Sequence, residues 1–264
     1  MDGKLDLRDF KIVVLIAVII LMTITGIGIN SKIKEKAYDD LEVYRKAIKL
    51  EDDKGLFDYV VDTQQGNFII NTEIKPRVNQ KFSEIDKKTG QEFISLVRDE
   101  YKETYDMKTR TVTVSAGKGK TSTKTVVYWE WTWHHIDKQT ITSDAVQVYK
   151  RDFKTNTFGF SYDDLDASKL ITSANRSDYY TGPHHRFSYS GILAGKYTIF
   201  AKAVKGSISA VSKGKIETYQ KNVKEVLRDQ ENNPKMVSLI FIISWSVLSI
   251  GVVAATGIFL YKEK

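Results

Sequence analysis

The chain has 264 residues, 42% of them hydrophobic and 28% charged, with a formal net charge of +7, three prolines and no cysteine. That length allows one or two domains, and the missing thiols exclude a disulfide scaffold and a thiolate metal site. A mean hydropathy of −0.31 is that of a soluble protein, yet much of the apolar content is gathered into two uncharged blocks.

After a short tail (residues 1–11) that carries Lys4, Arg8 and Lys11, the stretch 12–29 runs 18 residues without a charge, and 236–261 runs 26, ahead of a closing tail at 262–264. About 20 apolar residues cross a bilayer, so both blocks are predicted to be transmembrane helices. A cleaved signal peptide is the alternative for the first, with Gly26-Ile27-Gly28 at cleavage-like spacing. Its apolar run exceeds the 7–15 residues of such a core, which favours an uncleaved anchor. A lipid-anchor signal at the second block would need a small-residue site and a polar spacer where Asn232, Asn233, Pro234 and Lys235 stand.

Two spans place both tails on one side and the middle on the other. Lys and Arg flanking the middle outnumber those in the tails, which taken alone would point the middle inward. The charge rule governs short loops, however, and a middle of about 205 residues escapes it. The expectation is a plasma-membrane protein with both termini cytoplasmic and an extracytoplasmic middle, resting on a basic N-terminus that is easily retained.

Within the middle, Ile33, Ala37, Leu41, Tyr44 and Ile48 recur at helical spacing, as do Ile216, Tyr219, Val223, Val226 and Leu227. Each stripe adjoins a span, so segments 30–50 and 215–235 are predicted to form a two-helix juxtamembrane stalk. Between them, 51–214 switches to period two and is read as a β-rich (α+β) domain. Strands are expected at 56–63 and 67–74 around Gln64-Gln65-Gly66, and at 108–115 and 123–133 around a Gly-Lys tip. Further strands are expected at 147–153, 157–162, 186–192 and 196–204. Residues 91–103 fit either strand or helix, and 164–172 reads as a short helix with acidic capping residues. The middle holds 35 basic and 29 acidic residues, a mild excess that argues against a nucleic-acid partner.

The run Tyr128-Trp129-Glu130-Trp131-Thr132-Trp133-His134-His135 places Trp129, Trp131 and Trp133 on one face of a strand. The first expectation is a central core strand, where each Trp-to-Ala change costs about 3–5 kcal/mol. The alternatives are a stacking platform for glycan rings, a partner surface, or an aromatic belt on lipid headgroups. The exposed tip with Lys118 and Lys120 joins that candidate surface. The histidines come as two adjacent pairs, and His134, His184 and Glu130 form a candidate zinc set for a membrane-tethered hydrolase, without the HExxH spacing of a helical site.

Gly119-Lys120-Thr121 lacks the earlier glycine of a phosphate loop, because Val114 stands there. The acidic run at 163–166 lacks the calcium-loop spacing, and Ser212 with Lys215 lacks partner motifs; no cofactor is called for. Gly251 and Ala255, with Gly257 nearby, are small residues suited to helix packing, either on the first span or in a homo-oligomer.

The pattern Thr111-Val112-Thr113-Val114, Gly119-Lys120-Thr121 and Val127-Tyr128-Trp129-Glu130-Trp131 resembles a hairpin in uncharacterised membrane-anchored proteins of Gram-positive bacteria and their mobile elements. The order of Tyr179-Tyr180 and the 186–204 strands before a terminal span is similar as well. The chain has a lesser similarity to LUMA-type membrane proteins, whose additional spans it lacks. The resemblance implies a membrane-tethered domain and transfers no catalytic residues. The function expected is non-catalytic binding or sensing of an envelope component, glycan or partner protein. A scaffold for other membrane proteins is the further alternative.

Overall fold

The computed structural model describes residues 7–86, 90–115 and 121–262. Helix α1 (Leu7–Lys46) and helix α4 (Val223–Lys262) have 40 residues each and so extend about 60 Å. They pack antiparallel along their length. Lys11 lies over Tyr261, Trp245 Nε1 donates to the Met22 carbonyl at 3.0 Å, Ser238 Oγ to Asn30 at 3.0 Å, and Arg45 reaches Glu231. Both helices are long and apolar enough to cross a membrane. Each apolar segment runs into its stalk without a break.

Between the helices the chain forms two sheets. The first has eight strands: β1 (Ile48–Leu50), β2 (Asn67–Pro76), β5 (Ala145–Val148), β6 (Arg151–Lys154), β7 (Phe158–Gly159), β11 (Gly195–Val204), β12 (Ser207–Ser209) and β13 (Ile216–Tyr219). Their order is β6-β5-β2-β11-β13-β7, with β1 on β2 and β12 on β11. The second sheet contains β3 (Phe93–Ser115), β4 (Thr121–Thr142), β8 (Asp163–Leu165), β9 (Tyr179–Gly182) and β10 (His185–Leu193), in the order β4-β3-β10-β8 with β9 on β10.

The first sheet is buried on both faces. Phe68, Ile70, Ile199 and Ala201 pack under helix α2 (Lys54–Thr63) through Phe57, Val60 and Val61. The alternate side chains Ile69 and Phe200 meet Tyr44, Ala47 and Val226 at the ends of α1 and α4. There Glu217 accepts hydrogen bonds from Tyr44 and from Tyr219, the latter at 2.5 Å. Burial first, and Glu217 second, push the Tyr44 and Tyr219 phenols up, Tyr219 to about 12, so both remain neutral donors.

Four sequence expectations change, the first being the single strand at 147–153, which is instead the β5–β6 hairpin, turning at Tyr149 and Lys150 with φ of 49° and 71°. Segment 56–63 is helix α2 instead of a strand, because Asp53 Oδ1 caps the Gly55 and Leu56 amides at 2.7 and 3.1 Å and the buried positions 57, 60 and 61 follow helical period. Residues 216–219 of the expected second stalk helix are strand β13, paired with β11 and β7. The helix starts at Val223, where Asn222 and Glu225 form a reciprocal capping box. The first stalk helix ends at Lys46, and 48–50 join the sheet as β1. The short helix α3 (Ala167–Leu170) falls where expected, capped by Asp166.

Candidate functional site

Strands β3 and β4 pair from Ser95↔Thr142 to Ser115↔Thr121, well beyond the expected hairpin arms, and residues 91–103 resolve into strand from Phe93 onward. Strand β10 supports β3 only as far as His185↔Lys102, with the His184 carbonyl accepting the Glu103 amide. From Thr104 outward the hairpin is a two-stranded ribbon about 40 Å long, at roughly 3.4 Å per residue. The tip with Lys118 and Lys120 lies outside the described residues.

Directly opposed residues of an antiparallel pair share a face. Tyr105↔Trp131, Met107↔Trp129, Glu103↔Trp133 and Thr109↔Val127 therefore line one side, and Asp106↔Glu130, Thr104↔Thr132 and Lys108↔Tyr128 the other. The second side is polar. Asp106 and Glu130 stand opposite each other, an arrangement relieved by Lys108 on Glu130 and His134 on Asp106. The Thr104 hydroxyl, then His134, hold the Asp106 carboxyl below the usual carboxylate range.

The first side is a ladder of rings. Trp129 and Tyr105 lie 5.6 Å apart, Tyr105 and Trp131 5.3 Å, and Trp131 stacks on His184 at 4.1 Å and 13°. Toward the body, Arg186 stands 4.5 Å over Trp133, and Tyr180 meets Trp133 edge-on. Trp129 is 53% exposed and Trp131 51%, with Tyr105 and Met107 more so.

The core-strand expectation is thus overturned for Trp129 and Trp131. Their strand is the edge of its sheet, and the hydrophobic core lies elsewhere. Trp129→Ala and Trp131→Ala are expected to shift unfolding by about 1 kcal/mol or less, readable by thermal denaturation, because exposed side chains leave no cavity. A loss of 3 kcal/mol would restore the core assignment.

The candidate zinc set is not brought together. Glu130 and His134 sit on the polar side, bound to Lys108 and Asp106, whereas His184 sits on the aromatic side, with Nδ1 3.1 Å from Glu103. His135 pairs with Asp99 and His185 with Glu100. Among the described residues no group of three or more His, Asp or Glu is placed to hold a metal ion.

Of the small residues in α4, Gly257 faces Leu15, while Gly251 has open space around it and Ala255 is exposed. The close approach of α1 to α4 is made instead at Gly26, where an added Cβ would lie 2.3 Å from Trp245 Nε1. Tyr105, Met107, Tyr180 and Arg186 complete the aromatic side and were missed from the sequence. The period-two pattern Tyr101-x-Glu103-x-Tyr105-x-Met107 carried the signal for the first two.

No family model, curated protein or solved structure matches the chain.

Proposed function

We propose that this chain is a membrane-tethered, non-catalytic binding module of the kind its hairpin resembles, held by two transmembrane helices with both termini cytoplasmic. The β-rich domain then stands outside, and the β3–β4 ribbon contacts a partner protein of the envelope. The observation that carries this is the ring ladder on an unsupported ribbon. A two-stranded hairpin is marginal in water without a covered apolar face, and a contiguous exposed aromatic patch marks an interaction surface.

A protein fits better than a glycan. A sugar ring stacks on an open indole face, but His184 covers one face of Trp131 and Arg186 stands over Trp133, so contact with these two rings falls to what remains, their other faces and their edges. Edges pack well between side chains.

The test is a photo-crosslinking phenylalanine analogue at position 129 or 130 in the full chain in intact cells. A discrete protein adduct from 129, absent from 130, is expected. Equal adducts from both faces, or lipid adducts alone, would sink the reading.

A further inference from the structure

Taking the two apolar helices as membrane spans, as proposed above, we infer that the seam between α1 and α4 is a binding site for one anionic phospholipid. On one side of the seam lie two adjoining cavities of about 470 and 400 Å³ that share Thr23, Ser249 and Ile250. The first reaches Asn30 and the second reaches Ile19. From Asn30 to Ile19 is about 17 Å along the helix at 1.5 Å per residue. That is close to half of a hydrocarbon core about 30 Å thick, the depth of one leaflet.

The groove has the chemistry of an acyl-chain site. Its walls are largely carbon, from Ile27, Ile242 and Trp245 among others, and most of its polar side chains are already engaged within the helix pair. Thr23 Oγ1 donates to the Ile19 carbonyl at 2.8 Å, Ser246 Oγ to the Ile242 carbonyl at 2.7 Å, and the Trp245 indole to Met22. The seam is shaped at Gly26, which leaves room for the Trp245 indole where a Cβ would collide.

The mouth of the groove is cationic. Lys34 follows Ile27 by seven residues and Lys235 precedes Ile242 by seven, so the helical repeat carries both lysines onto the groove side. Both are exposed, and neither has a carboxylate partner among the described residues. Glu231, on the same line of α4, is taken by Arg45. Lys32 and Lys36 point away from that line by the same repeat. An anionic headgroup between Lys34 and Lys235, with its chain in the groove, satisfies both features.

The full chain is reconstituted in nanodiscs of phosphatidylcholine containing a minor fraction of phosphatidylglycerol, transferred to detergent, and read by native mass spectrometry. One retained phosphatidylglycerol per chain is expected. Lys34→Gln with Lys235→Gln should weaken retention about thirtyfold, taking the usual contribution of two cations at a lipid surface. Lys32→Gln with Lys36→Gln removes the same charge and should leave retention unchanged, whereas Ser246→Phe fills the groove and should abolish it. Equal loss in the two double variants, or equal retention of phosphatidylcholine, overturns the site. A chain that floats with neither neutral nor anionic liposomes overturns the membrane reading beneath it.

Discussion

Phe200→Ala is expected to lower the stability of the domain by about 3–5 kcal/mol, the cost of removing a buried phenyl ring. Phe200 is 2% exposed, and its ring stacks on Tyr44 at 4.0 Å and 16°. It lies on the helix-facing side of β11, beside Ile69 of β2, where the ends of both long helices meet the sheet. The cavity would therefore open at the joint between the helices and the domain, where the Tyr44–Glu217–Tyr219 cluster also sits. Thermal unfolding of the full chain in nanodiscs, with hydrogen exchange at residues 40–47 as a local readout, measures both effects. A shift below about 1 kcal/mol would mean that the joint is not packed as described.

Arg98→Ala is expected to cost about 3 kcal/mol, the lower end of what breaking a buried ion pair costs, because this pair keeps some access to water. The Arg98 guanidinium lies 4.7 Å from both the Phe82 and Phe187 rings and donates to Glu84 at 2.6 Å. Tyr189, 3% exposed, donates to the same carboxylate at 2.9 Å. Removing the arginine leaves Glu84 without its counter-ion and separates two rings that the cation holds together.

The same pair makes a pH prediction. Burial works to raise the Glu84 carboxyl, but the hydrogen bonds from Arg98, from its own backbone amide and from Tyr189 together outweigh it and hold the group below the ordinary glutamate value. A carboxyl lowered on folding contributes stability above its unfolded value and loses it as pH falls through its folded one. Acid unfolding should therefore set in below the ordinary glutamate range in the native chain and be less steep in Glu84→Gln. Identical acid profiles would refute the role of the pair.

The ends of the chain were legible because hydropathy needs no partner: a run without charge reads as an apolar helix whatever surrounds it. The short helix capped by Asp166 and the β3–β4 pairing were legible for similar local reasons. Segment 56–63 was misread because Phe57, Tyr59 and Val61 stand at strand spacing while Phe57, Val60 and Val61 follow helical spacing, so both periods are present. The cap at Asp53 and the left-handed Gln64, with φ of 55°, decide for the helix. Residues 216–219 carry apolar positions compatible with a stalk, and only the free edge of β11 turns them into a strand.

The tryptophan face shows the division most clearly. Strand alternation alone determined that Trp129, Trp131 and Trp133 share a side. Whether that side is core or surface depends on what lies across from it, and no local pattern records that. Strand β10 stops at His185, so among the described residues no strand supports the ribbon beyond Glu103, and the tryptophans stack on Tyr105 and His184 instead of entering the core. The histidine pairs follow the same logic: the sequence determined that neighbours face opposite ways, and the tertiary structure decided that each imidazole meets a carboxylate of β3. Local periodicity fixes which side chains travel together, while burial and pairing arise from segments distant in sequence meeting in space.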